Sequence, residues 1–278
     1  QKYFSGEKAV KFKDITLIGP GETGYVFRAL DSYRNDFFAI KVLVEKHRVD
    51  RIRLHGLIHT MGSGLRTLDH PNIARVIDMV ESEYPFFVFE YIDGESMRSI
   101  FERKGALKPP QAKMIALQIC KALSFAHSKG IVHQDLRPEN ILIAQNQVKV
   151  TDFCMTRIRS AEFSPQNGDL ACEFRYMAPE LLAGEKPSPA MDIYSLGMTL
   201  YELTTGVHPF QNDDPALSRG MIPSTVPAKP SLICSDYPQD LENIIMKSLE
   251  KDPRKRHQSV NDMITELEAL TLINFPEI

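Results

Sequence analysis

The pattern of apolar residues changes character once along the chain, near Ile92–Glu95. Before that point, short runs rich in β-branched and aromatic residues are separated by polar or glycine-containing turns. Strands are predicted over 12–18, 25–30, 37–44, 74–81 and 85–91. One stretch, 47–68, lacks alternation and places Ile52, Leu54, Leu57, Ile58, Met61 and Leu65 at helical spacing, so it reads as a helix. Gly56, Gly62 and Gly64 lower its intrinsic helix propensity. Beyond Gly94 the period becomes helical, with helices predicted over 96–102, 110–129, 190–205, 237–249 and 259–270. Two short strands, 141–144 and 147–150, and a polar loop over 160–173 complete the pattern. In the helix over 110–129, Ile115, Ile119, Ala122, Leu123 and Ala126 form one stripe. A strand-rich part followed by a helix-rich part specifies an α+β, two-lobed architecture, with an N-lobe of about residues 1–92 and a C-lobe of about 93–278.

Composition narrows the classes. The 278 residues carry 33 Lys+Arg against 36 Asp+Glu, a formal charge of −3, which disfavours nucleic acid as the main partner. No apolar run approaches the roughly 20 residues needed to span a bilayer, so no membrane insertion is expected within this segment. Cys120, Cys154, Cys172 and Cys234 show no C-x-x-C spacing, which argues against a zinc site or a disulfide framework and for a reducing, cytoplasmic compartment. The chain opens at Gln1 without a leader and without Met, so it is expected to be the cytosolic domain of a larger protein.

Three features suggest chemistry. Gly19, Gly21 and Gly24, followed by Val26, form G-x-G-x-x-G-x-V between two predicted strands. This suits either a plain hairpin turn or a loop whose backbone N–H groups approach phosphate oxygens. Lys41 closes the apolar run Phe38-Ala39-Ile40 one strand later, where its ammonium can clamp α- and β-phosphates. The segment from His133 through Asp135, Arg137 and Asn140 to Asp152-Phe153 supplies a carboxylate, a cation and two hard oxygen donors.

With Met177-Ala178-Pro179-Glu180, these motifs occur in the order of the eukaryotic-type Ser/Thr protein kinase family, which the chain resembles from the glycine loop to its last helices. The resemblance implies an antiparallel β-sheet N-lobe and a mainly α-helical C-lobe. It implies ATP and Mg²⁺ as cofactors and transfer of the γ-phosphoryl group to hydroxyls of a protein substrate. Asp135, Lys41, Arg137 and Asn140 would be catalytic, and Asn140 and Asp152 would ligate Mg²⁺. Ile18, Gly19, Gly21, Gly24, Val26, Ala39, Lys41, Leu142 and the backbone of Glu90 and Ile92 would bind the nucleotide, with Phe89 at the back of the pocket. Arg256 would pair with Glu180, and Tyr194 stands where many members carry Trp.

The pattern is broken at named positions. Met61 stands where the N-lobe helix should supply a glutamate for Lys41, Cys154 where Asp-Phe is normally followed by Gly, and Gln134 where an arginine precedes the catalytic Asp. Arg137 replaces the usual lysine, and Glu173 lies where a hydroxyl is expected. These departures define the alternative, a pseudokinase that acts as a signalling scaffold through partner binding, with or without nucleotide.

Overall fold

The computed structural model describes residues 12–21, 24–43, 59, 61–81, 84–154, 174–212 and 214–271. They fall into two compact units that divide in sequence between Asp93 and Gly94, with Phe153 assigned to the second and Cys154 to the first.

The first unit is built on an antiparallel sheet of β1 (Phe12–Gly21), β2 (Gly24–Asp31), β3 (Asp36–Leu43), β4 (Val76–Val80) and β5 (Phe86–Glu90), in the order β1-β2-β3-β5-β4. The β2–β3 turn is fixed by Asp31, whose carboxylate accepts from the N–H groups of Tyr33 and Arg34. Because side chains alternate along a strand, Phe38, Ile40 and Val42 share one face of β3. There they pack with Ala29, Val80, Phe86 and Val88 into the core of the unit. The alternation sends Ala39 and Lys41 to the other face.

Within the helix predicted over 47–68, residues 61–65 are helical and the chain then turns at 66–67. Most of the predicted span lies outside the described residues, and its C-terminal end overshoots by three. Gly64 contributes to the stop, since its carbonyl accepts both the N–H and the hydroxyl of Thr67. Gly62 is there for a different reason. A Cβ at that position would lie 2.6 Å from Sδ of Met79 on β4, so a larger residue there would require the Met79 side chain to swing aside.

The second unit begins with β6 (Glu95–Ser96), which pairs with β7 (Ile141–Ala144), itself paired with β8 (Gln147–Val150). The helices are α1 (Met97–Lys104), α2 (Pro109–Ser128), α3 (Pro179–Leu182), α4 (Pro189–Thr205), α5 (Pro215–Ser224), α6 (Gln239–Ser248) and α7 (Val260–Ala269). Ser96 caps α1 by accepting from Ser99, and Pro109 opens α2 where a missing N–H is harmless. The predicted stripe of α2 is fully buried. α2 packs against α7, and α4 against α6.

α4 is the centre of the unit. Every residue from Met191 to Thr205 is buried, and a Cβ on Gly197 would meet Ser248 of α6 at 2.6 Å. Gly206 ends the helix in the left-handed conformation, its N–H donating to Glu202. α5 was not predicted, because Pro215, Gly220 and Pro223 hide its period; the Asp214 carboxylate starts it by accepting from Ala216. No described helix is long and apolar enough to cross a membrane.

Candidate active site

Each unit carries one group of the residues singled out from the sequence. In the first, the glycines sit at the β1–β2 turn, with Gly19 opposite Val26 and Gly21 opposite Gly24. Gly24 has φ 151°, a backbone setting open essentially to glycine. Ile18 is exposed on β1. Across the sheet Val26 faces Lys41, Lys41 faces Phe87, and Ala39 faces Phe89. Directly paired residues share a face. The sheet therefore presents Val26, Ala39, Lys41, Phe87 and Phe89 together, opposite the apolar core.

Lys41 is only 5% exposed. Met61, in the position read as lacking the expected glutamate, is buried, and residues 61–68 contain no carboxylate. The Glu90 N–H already donates to the Arg75 carbonyl at 3.0 Å, and the Glu90 carboxylate accepts from the Arg75 N–H. Of the two backbone groups of Glu90, the N–H is thus committed within the unit. Ile92 is half-buried in the segment after β5.

The second unit holds the loop 132–140, and its architecture follows from one buried acid. Asp192, in the first turn of α4, is completely buried. Its Oδ2 accepts from the His133 N–H and from His127 Nε2, and its Oδ1 from the Gln134 N–H. A carboxylate satisfied in this way tolerates burial and ties the loop to the most buried helix of the unit.

His133 carries the tie onward. Its Nδ1 accepts from the Asp135 N–H, so Nε2 bears the hydrogen and donates to the Thr151 carbonyl at 2.9 Å. Burial pushes the pKa of His133 down, which keeps the ring neutral and this tautomer in place. The ring also lies 4.4 Å, centroid to centroid, from Phe153.

Asp135 is held on the side-chain side as well. Asn140 Nδ2 donates to the Asp135 carbonyl oxygen at 2.7 Å and to its Oδ2 at 2.9 Å. Both hydrogens of that amide are therefore committed, and the Asn140 oxygen is the atom left to serve a cation. The Thr151 N–H donates to the Asn140 carbonyl, which sets Asp152 one residue beyond that contact. Arg137 Nε donates to Glu139 Oε2 at 2.8 Å. The structure thus gathers Asp135, Arg137, Asn140 and Asp152 around one hydrogen-bonded loop, while Leu142 follows on β7, facing Ser96 and Lys149.

Three of the eight non-glycine residues with positive φ among the described residues lie here. Gln134, Asp152 and Cys154 have φ of 69°, 66° and 62°. Such settings cost about 1–3 kcal/mol each and persist where the surroundings enforce them. Cys154 adopts the very conformation that its missing glycine would favour. Glu173 and Cys172 lie outside the described residues.

The expected Glu180–Arg256 pair is present, bidentate at 2.6 and 2.8 Å and almost fully buried. Arg256 also donates to the carbonyls of Ala190, Glu250 and Lys251 and lies 4.9 Å from the Tyr194 ring. Sequence reasoning passed over Asp192 as a loop anchor, and over Arg98, Glu202 and Tyr176, which form an ion-pair group with Glu139. For Asp192 a signal existed: an acid in the first turn of an otherwise apolar helix.

Set against known proteins, residues 12–268 match the protein kinase domain family, and the chain belongs to it. Among curated relatives, serine/threonine-protein kinase PknB of Mycobacterium leprae is 36% identical over 261 residues, covering 90% of this chain and 41% of that protein. A probable serine/threonine-protein kinase of Clostridium perfringens is 30% identical over 262 residues, covering 94% of this chain and 38% of that protein. The chain thus spans about two fifths of the length of these relatives. Among solved structures, Rad53 1-466 in complex with AMP-PNP matches with a TM-score of 0.77 and 25% identity, covering 95% of this chain and 67% of that one. The architecture is the α+β kinase fold, with its antiparallel sheet and its helical unit.

Proposed function

We propose that the chain is the catalytic domain of a Ser/Thr protein kinase, with the two units as its lobes, using ATP and Mg²⁺ to phosphorylate hydroxyls of a protein substrate. The observation that carries this is the Asp135–Asn140 arrangement. One carboxylate is fixed by backbone and side-chain bonds beside an amide whose oxygen remains available. Mg²⁺ takes hard oxygen ligands and keeps several waters and phosphate oxygens. The oxygens of Asn140 and Asp152 fit that requirement. Bound Mg²⁺–ATP would supply the phosphoryl group and neutralise the charge that develops on its oxygens.

The chain's own residues do the rest. Lys41 offers an ammonium from the face of the sheet opposite the core, where it suits the α- and β-phosphates. Val26 and Ala39, on the same face of the sheet as Lys41, offer apolar surface to a purine ring. Asp135 accepts the proton of the attacking hydroxyl, and its fixed orientation sets the line of attack. Arg137 supplies positive charge two residues from that carboxylate. The relatives' names and the AMP-PNP held by Rad53 support the same reading.

One observation favours the pseudokinase alternative: the buried Met61 gives Lys41 no carboxylate from the 61–65 turn. The intact set Lys41, Asp135, Asn140 and Asp152 outweighs it. Transfer of labelled γ-phosphate to the protein itself or to a generic protein substrate decides between them. Transfer is expected, and Asp135→Asn should lower it by roughly 100-fold or more. A thermal shift with Mg²⁺–ATP but no transfer would establish the pseudokinase.

A further inference from the structure

Arg98, on α1, takes no part in the chemistry just described, yet all three of its guanidinium nitrogens are engaged. Nε donates to Glu139 Oε1 at 2.9 Å, Nη1 to Glu202 Oε1 at 3.2 Å, and Nη2 to Glu202 Oε2 at 3.1 Å and to the Tyr176 hydroxyl at 2.5 Å. Glu202 belongs to the buried helix α4 and also accepts the Tyr176 hydroxyl hydrogen. Glu139 gives its second oxygen to Arg137. Four charges of alternating sign, Glu202, Arg98, Glu139 and Arg137, therefore run from the core helix to the catalytic loop.

The two carboxylates are not equivalent. Glu202 is anchored in a rigid helix and its side chain is 7% exposed, whereas that of Glu139 is 34% exposed. Glu139 lies in a single 3₁₀ turn, two residues after Arg137. Held by one cation, a half-exposed carboxylate can rotate, and water competes for its free oxygen. Held on both oxygens, it presents Oε2 to Arg137 in one orientation. Burial alone would raise the pKa of Glu139, but its bonds to Arg137 and Arg98 outweigh that and bring it to about 2. The bridge needs arginine, because a guanidinium is a rigid fork able to serve two carboxylates and an ammonium is a point donor.

We propose that Arg98 is a positioning residue for Arg137, acting through Glu139, so that α1 sets the placement of the catalytic-loop cation. The proposal deepens the kinase reading and rests on it. The Tyr176 ring also lies 5.8 Å from the Arg137 guanidinium, so dependence on Glu139 is what separates this route from one through Glu202 and Tyr176.

The test compares the unaltered protein with Arg98→Met, Arg98→Lys, Glu139→Gln and Arg98→Met/Glu139→Gln. The quantities measured are kcat and the KM for ATP in γ-phosphate transfer, together with hydrogen exchange at the Arg137 Nε–H by ¹⁵N NMR. Arg98→Met is expected to lower kcat about 10- to 100-fold with the KM for ATP unchanged, a penalty typical of a misplaced group. Arg98→Lys, which keeps Glu202 paired and the fold intact, should remain well below the unaltered protein. The double variant should fall no further than Glu139→Gln alone, and Arg137 Nε–H exchange should accelerate in both Arg98 variants. Full additivity of the Arg98 and Glu139 losses would overturn the proposal, as would unchanged exchange at Arg137. Absence of transfer by the unaltered protein would sink the kinase reading instead, and the exchange measurement would still decide whether Arg98 fixes Arg137.

Discussion

The two units hold their candidate functional residues by different means. In the first, Lys41 is placed by strand register and pleat: Val26 and Phe87 flank it across the sheet, and the apolar face beneath fixes which way it points. In the second, Asp135 and Arg137 are placed by charge and hydrogen bonds that converge on Asp192, Asn140 and Glu139. A sheet resists slippage because a shift of one residue would turn its whole core face outward. A loop has no such penalty and must be tied at each residue. The contrast teaches where each kind of substitution should do damage.

The largest effects are expected where a buried charge loses its partner. Arg256→Met leaves Glu180 unpaired, and unfolding in urea should show a loss of about 3–5 kcal/mol. Arg256→Met/Glu180→Leu should recover much of it. Asp192→Ala removes the acceptor of two backbone N–H groups and of His127, and a loss of about 3–4 kcal/mol is expected. Ile40→Ala in the first unit should cost about 2–5 kcal/mol through lost packing and a cavity. If its penalty varied with salt as strongly as that of Asp192→Ala, the distinction between the units would collapse.

Acid should act on the second unit. His208 sits beneath Tyr176, its Nδ1 accepting from the Phe210 N–H, which leaves Nε2 to donate to the Arg175 carbonyl. Burial lowers its pKa from 6.5 to about 4. The unfolded chain therefore takes up a proton over a range where the folded chain does not. Stability is full above about pH 6.5 and is lost as pH falls toward 4, by about 3 kcal/mol in all. His208→Gln should flatten that slope in pH-dependent melting, and an unchanged slope would assign the acid sensitivity to other groups. The smallest effect is a gain: Cys154→Gly relieves the left-handed strain at φ 62° and should stabilise the protein by about 1 kcal/mol. A loss on calorimetry would mean that the packing of the Cys154 side chain exceeds the strain.

Much of this could be read from the chain, because strands and motifs leave local traces. The five strands of the first sheet were anticipated within about three residues at each end, and the five long helices of the second unit within two. The short β6 went unseen because two residues carry no period, and α5 because its prolines and glycine resemble a loop. The polar ties were not legible for a different reason. Arg98 and Glu202 stand 104 residues apart, and an arginine on the surface-like face of a short helix reads as ordinary solvent exposure until the fold brings α4 beside it.

The total enclosure of α4 also bears on how the chain is made. Synthesis delivers Met191–Thr205 before α6 and Arg256 exist to cover them. α2 is already made and can cover one side, but for some fifty residues of elongation the side that α6 will bury stays open to water. Arrival of α6 closes that side, and Arg256 then adds its bond to the Ala190 carbonyl at the start of the helix.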